Sequence, residues 1–146
     1  MFERILVVCT GNICRSPVAA ALLQVRMPGK SIATAGLGAR EGEGVSPRAR
    51  ELAEAEGRNV ANILSRHVAR QLDKTMLREA DLVLVMTEGQ RRAVGEMLPA
   101  ALGKTMLFGR WLDNPEIGDP YGKSVEAYTH VHAQLVKAAR AWEGKL

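Results

Sequence analysis

The run Ile5-Leu6-Val7-Val8 is apolar without interruption, and after a short loop it is followed by Ser16-Pro17 and the apolar stretch Val18-Ala-Ala-Ala-Leu-Leu. A strand with no polar alternation is buried on both faces, which points to the interior of a parallel sheet covered by helices. Ser followed by Pro is the favoured pair for the cap and first residue of a helix. The chain therefore opens as strand, loop, helix. A helix start carries unpaired backbone N–H groups and partial positive charge, and a loop of successive N–H groups above it makes an anion cradle, for which phosphate is the expected guest.

The loop consists of Cys9, Thr10, Gly11, Asn12, Ile13, Cys14 and Arg15, leading into Ser16. Cys9 ends the strand, where a helix N-terminus and an arginine favour thiolate over thiol and make it a nucleophile. Arg15 can return across the loop and grip two oxygens of a phosphate with its planar fork. Gly11 allows a turn closed to other residues, and Asn12 tolerates a left-handed backbone. The Ser16 hydroxyl can cap the helix or hydrogen-bond the sulfur. The spacing of Cys and Arg alone is a weak signal; the strand, glycine-containing loop and Ser-Pro helix start around it strengthen it.

Downstream, strand and helix alternate. A helix from about Pro17 to Met27 gives way to a Pro28-Gly29 turn and a second strand, Ser31 to Thr34, placed parallel to the first by a right-handed crossover. Gly36 to Gly44 is too glycine-rich for regular structure and reads as a loop beside the site. Ser46-Pro47 opens a helix from Arg48 to Glu56, closed by Gly57. Residues 59–72 carry no decisive pattern. A helix from about Asp73 to Ala80 precedes a third buried strand, Asp81 to Met86; Thr87 and Gln90 form a capping box for the helix Glu88 to Leu98. Lys104 to Phe108 is the fourth strand, Gly109 to Tyr121 a loop, and a last amphipathic helix begins near Lys123. The pattern specifies an α/β fold: a four-stranded open parallel sheet with helices on both faces, and one domain over 1–146. In such sheets ligands bind beyond the carboxyl ends of the strands, where Cys9 lies.

With 47% hydrophobic and 25% charged residues, the chain can bury an ordinary core. It contains no run of apolar residues long enough for a membrane span and no secretory signal at Met-Phe-Glu-Arg, so a cytoplasmic location without membrane insertion is expected. Its two cysteines, Cys9 and Cys14, are too few for a disulfide framework and wrongly placed for zinc. The net charge of +4 raises nucleic-acid binding, but Arg48, Arg50, Arg91 and Arg92 sit among glutamates and aromatics make up 4%. Solvated helix faces account for these charges, and no nucleic-acid partner is expected.

At Cys9-Thr-Gly-Asn-Ile-Cys-Arg-Ser-Pro17 the chain closely resembles the low-molecular-weight protein tyrosine phosphatases. Thr34-Ala35-Gly36, His67-Val-Ala-Arg-Gln71 and Asp119-Pro120-Tyr121 stand in the family's order and at its spacing, so the likeness covers essentially the whole chain. It implies strand order 2-1-3-4. It implies that Cys9 attacks the phosphorus of phosphotyrosine while Arg15 and the N–H groups of Thr10 to Ser16 hold the equatorial oxygens. Asp119, on residues alone more often a turn former, becomes by this likeness general acid and then base, and inorganic phosphate is released from a phosphocysteine without metal or cofactor. Asn12, Ser16, Thr34 and His67 match positions that hold the loop in shape. Cys14, otherwise a packing residue, matches a position that can form a reversible disulfide with Cys9. His130 and His132 carry no expected role.

Two departures from the family pattern stand out. Gly122 replaces a second aromatic after Tyr121, and Gly36 to Gly44 contains none, so Tyr121, Ile13 and Leu37 are expected to form a thin pocket wall. Gly36-Leu-Gly-Ala39 and Asp119 to Ser124 resemble the bacterial branch acting on autophosphorylated, membrane-anchored tyrosine kinases of polysaccharide export, which implies such a kinase as partner. Three rivals remain. A protein arginine phosphatase typically carries threonine where this chain has Ile13; arsenate reductases need cysteines after Cys14, and none exists; a non-catalytic phosphopeptide-binding module has no need of both Cys9 and Asp119.

Overall fold

The computed structural model describes residues 2–146. Among the described residues the strands are β1 (Arg4–Cys9), β2 (Ser31–Gly36), β3 (Leu82–Val85) and β4 (Thr105–Leu107), all parallel, in the order β2-β1-β3-β4. The helices are α1 (Arg15–Arg26), α2 (Pro47–Glu54), α3 (Arg58–Ser65), α4 (Lys74–Glu79), α5 (Glu88–Met97) and α6 (Val125–Glu143), with a 3-10 turn at Pro99–Lys104. The fold is the expected open parallel α/β sheet.

Strand periodicity divides the core in two. Ile5, Val7 and Cys9 of β1, with Leu82 and Leu84 of β3, face α1, α2, α3 and α6, where Leu23, Leu64, Leu135 and Trp142 pack. Leu6, Val8, Val83 and Val85 face the other way, onto Leu77 of α4 and Val94 of α5. Both faces of β1 and β3 are thus sealed, which is why their sequences show no polar alternation. The chain leaves β1 toward β2 on one side and reaches β3 on the other, so the carboxyl end of β1 lies at the point where connections diverge, the place where such sheets bind ligands.

Several boundaries differ from the expectations. Helix α1 begins at Arg15, not after Ser16, and Ser16 is not its cap. Pro17 still falls in the first turn, where a missing N–H costs nothing. β2 runs on to Gly36, beyond Thr34. The helix at Pro47 stops at Glu54, and the unassigned stretch contains α3, which buries Val60 and Leu64. Gly57 lies between the two with φ of 134°, a conformation that L side chains rarely adopt. The Thr87 hydroxyl caps α5 as expected, accepting from Gln90 N at 3.2 Å, but the Gln90 side chain completes no box: its Oε1 accepts from Met86 N instead. No helix among the described residues is long and apolar enough to cross a membrane.

Candidate active site

The carbonyls from Cys9 to Ile13, in the loop after β1, point away from its centre. Cys9 O accepts from Leu37 N, Thr10 O from Gly38 N, Gly11 O from Arg40 N and Ile13 O from Ser46 N, at 2.8–3.0 Å. Asn12 O meets His67 Nε2 at 2.6 Å. In a trans peptide the C=O of one residue and the N–H of the next point in opposite directions, and no cis bond occurs among the described residues. The N–H groups of Thr10, Gly11, Asn12, Ile13 and Cys14 therefore turn inward, toward the hollow. An outer shell of donors on the segment from Leu37 to Ser46, with His67, imposes an inner ring of donors.

Asn12 fixes the curvature. Its φ of 60° lies in the left-handed region, and its wholly buried side chain donates from Nδ2 to Ser16 Oγ at 2.7 Å and accepts Arg70 N at Oδ1 at 3.0 Å. Burial pushes the His67 imidazole below its ordinary range, which suits a neutral ring donating to the Asn12 carbonyl. Thr34 contributes through its main chain: its carbonyl accepts Arg70 Nε at 2.9 Å, securing the residue whose N–H holds Asn12. Arg70, read only within the His67 to Gln71 motif, and Gln90, read only as part of a helix cap, also belong to this support; Gln90 Nε2 donates to Thr10 Oγ1 at 3.2 Å.

At the centre, Cys9 Sγ lies 2.9 Å from Ser16 Oγ and accepts Ser16 N at 3.4 Å, the first turn of α1 aimed at the sulfur. Of the two roles open to the Ser16 hydroxyl, contact with the sulfur is the one adopted. Arg15 is 3% exposed; its Nη1 donates to Ile117 O at 2.8 Å, its Nη2 lies 3.7 Å from Asp119 Oδ2, and its buried Nε has no protein partner. Asp119 is 47% exposed. Its loop is moored to the sheet by Ile117, whose N–H donates to Met86 O, and by buried Pro120. Asp119 Oδ1 accepts Tyr121 N at 3.0 Å, turning the aromatic ring beside the carboxylate.

These groups enclose a cavity of about 220 Å³ lined by Cys9, Thr10, Gly11, Ile13, Cys14, Arg15, Gly38, Arg40, Asp119 and Tyr121. Ile13 and Tyr121 stand in its wall. Leu37 does not: it packs with Ala33 and Ala35 into the core beneath α4 and α5, because the alternation of β2 continues past Gly36. Gly38 and Arg40 occupy the wall in its place. Cys14 is a free thiol 3.2 Å from Ser46 Oγ, and burial raises its pKa. Among the described residues no cluster of three or more His, Cys, Asp or Glu side chains forms.

A sulfur beneath a ring of amides, one buried guanidinium and one carboxyl at the mouth can hold a tetrahedral dianion and exchange a proton with its substituent. The chain matches the low molecular weight phosphotyrosine protein phosphatases over residues 4–146. It belongs to that family. It is 44% identical over 142 residues to the low molecular weight protein-tyrosine-phosphatase Wzb of Salmonella typhimurium, covering 97% of this chain and 93% of that one. It is also similar to the crystal structure of the Erwinia amylovora tyrosine phosphatase AmsI, with TM-score 0.94, 42% identity, and coverage of 100% of this chain and 94% of that one. The YwlE arginine phosphatase of Geobacillus stearothermophilus shares the fold at TM-score 0.87 and 34% identity, covering 98% and 92%. This family member is a protein-tyrosine-phosphatase, a hydrolase.

Proposed function

We propose that the chain hydrolyses phosphotyrosine in two displacements at phosphorus, with Cys9 as nucleophile. The Cys9 sulfur bonds to phosphorus as the bond to the tyrosine oxygen breaks. Asp119 delivers its proton to that oxygen, and Arg15 with the inward amides holds the three equatorial oxygens where charge accumulates. Water then attacks the phosphocysteine, Asp119 takes its proton, and inorganic phosphate leaves as the thiolate returns. Ser16, 2.9 Å from the sulfur, stabilises the departing thiolate. The observation that carries this reading is the convergence of Cys9, the ring of amides, Arg15 and Asp119 on one cavity.

Tyrosine is favoured over phosphoarginine because the wall contains the apolar, buried Ile13 and the ring of Tyr121, which suit an aromatic leaving group. The physiological substrate is an autophosphorylated, membrane-anchored bacterial tyrosine kinase of polysaccharide export, met from the cytoplasm. This rests on the likeness of Gly36 to Ala39 and Asp119 to Ser124 to that branch. Cys14, on the same loop as Cys9, supplies a reversible disulfide partner that protects the nucleophile from overoxidation.

Side-by-side assays of phosphotyrosine, phosphoarginine and arsenate test the reaction. Turnover of phosphotyrosine alone is expected, and Cys9→Ser should abolish it while phosphate still binds; an unimpaired Cys9→Ser enzyme refutes the covalent step. Capture with Asp119→Ala should recover a tyrosine-phosphorylated kinase, and recovery of unrelated phosphoproteins alone overturns the partner.

A further inference from the structure

Arg40 is held more firmly than an exposed rim residue requires. Its N–H donates to Gly11 O at 3.0 Å, and a Cβ added to Gly11 would lie 3.8 Å from Arg40 Cγ and 3.9 Å from Cδ, so its stem passes directly over the phosphate loop. Arg40 Nε donates to Glu43 Oε2 at 2.9 Å, and the guanidinium carbon stands 5.2 Å from the centre of the Tyr121 ring. One edge is thus fixed by a carboxylate and one face by an aromatic ring. The remaining edge, Nη1 and Nη2, has no partner among the described residues, and the side chain is about half exposed.

We propose that Arg40 is a specificity determinant that reads a carboxylate on a residue adjoining the phosphotyrosine in the substrate chain. The inference rests on the phosphotyrosine reading and names a class of substrate for it. The phosphate belongs at the floor of the cavity, with Cys9, the amides and Arg15. Tyr121 walls the space above, which the tyrosine ring fills. A guanidinium lying against Tyr121 at the rim therefore stands level with the substrate backbone, where flanking side chains pass. A planar pair of N–H groups matches a carboxylate in bidentate geometry. The nearby carboxylates are engaged: Glu43 with Arg40, Glu41 with Gln71 N at 3.3 Å, and Asp119 with Tyr121 N and Arg15. Glu43 opposes part of the Arg40 charge while orienting it, so its removal should strengthen the preference.

The test uses phosphotyrosine peptides that differ in carrying Glu, Gln or Lys immediately before or after the phosphotyrosine. For the wild-type enzyme, kcat/KM for one of the Glu peptides should exceed that of its Gln counterpart by about threefold to fivefold, the scale of an exposed ion pair. The difference should lie in KM and should shrink as salt rises. In Arg40→Gln the Glu-to-Gln ratio should fall to about one, Arg40→Lys should restore part of it, and Glu43→Gln should raise it. The ratio is the readout, because a residue that merely shaped the loop would slow both peptides alike. A wild-type ratio of one at both positions, or a ratio in Arg40→Gln unchanged from that of the wild type, overturns the proposal. Failure of the wild-type enzyme to hydrolyse any of the peptides overturns the phosphotyrosine reading instead.

Discussion

Gly36 is the point at which β2 touches the phosphate loop, and a single methyl group there tests whether the outer shell shapes the inner ring. A Cβ at Gly36 would lie 2.5 Å from Thr10 O, 3.0 Å from Asn12 Cβ and 3.2 Å from Ala39 Cα, against 3.4 Å for the onset of ordinary contact. The nearest and third of these are backbone atoms, which no rotamer change can move. Gly36 is also tied by its own N–H to Arg70 O at 2.9 Å and by its carbonyl to Leu72 N at 2.8 Å, so it cannot retreat without breaking the bridge to Gln71. Overpacking of this kind costs about 1–3 kcal/mol, and the lower entropy of an unfolded chain with alanine returns about 0.4–1. The net loss for Gly36→Ala is therefore about 1–2 kcal/mol.

Displacing Thr10 O also tilts the Thr10–Gly11 peptide, whose N–H belongs to the anion ring. Phosphate affinity should fall with stability. Gly38→Ala is the matched comparison: nothing lies within 4 Å of the added Cβ, and its φ is not in the positive range. It should be neutral or slightly stabilising. Urea unfolding gives the first quantity and titration with inorganic phosphate the second. If Gly36→Ala matched the wild type in both, the second strand would not be shaping the loop.

Asn12→Ala removes two buried side-chain hydrogen bonds and leaves alanine in a left-handed conformation; it should cost about 2–4 kcal/mol in urea unfolding, of which Asn12→Gly recovers about 1. Burial holds the His67 pKa below 6.5 in the fold, so the unfolded chain takes up its proton first as pH falls. The His67 contribution is full above about pH 6.5 and is lost as pH falls through it toward the folded value; His67→Gln should flatten that part of the acid limb of a urea-midpoint profile. Burial raises the Cys14 pKa above 9.0, so its contribution is full below that pH and declines as pH rises past it, and Cys14→Ala should remove that alkaline decline.

The parts of the site legible in the sequence are those that neighbours along the chain create. An uninterrupted apolar strand, a loop and a helix start bring Cys9 and Arg15 together from local sequence, whereas the inward turn of the amides is set by Leu37 to Ser46 and His67. The roles of Gln90, Arg70 and Arg40 at the loop were not legible, because each acts across 29 or more positions, on Thr10, Asn12 and the Gly11–Tyr121 cleft respectively. Leu37 was misplaced for a readable reason. Ala33, Ala35 and Leu37 alternate as a strand does, but the glycines after Thr34 suggested that the strand had already ended. Ser16 shows the reverse: its Ser-Pro signature is real, yet its hydroxyl is drawn from the helix end to the sulfur and Asn12.

Arg15 carries the tension between folding and chemistry. It is buried, with one carbonyl partner, a carboxylate at 3.7 Å and an unpartnered Nε, so its desolvation is only partly offset within the protein. A bound dianion supplies the missing opposite charge. Phosphate at a hundred times its Kd should then stabilise the fold by about 2.7 kcal/mol, or about 5–10 °C in Tm for a chain of this size. Arg15→Met keeps much of the volume and removes the buried charge, while Ile117 O loses a donor. Its stability without phosphate should stay within about 1 kcal/mol of the wild type. Its phosphate-dependent rise in Tm should vanish, and turnover with it. A methionine variant that still gained stability from phosphate would mean that the amide ring alone holds the anion. One that lost several kcal/mol without phosphate would mean that Arg15 serves the fold as much as the reaction.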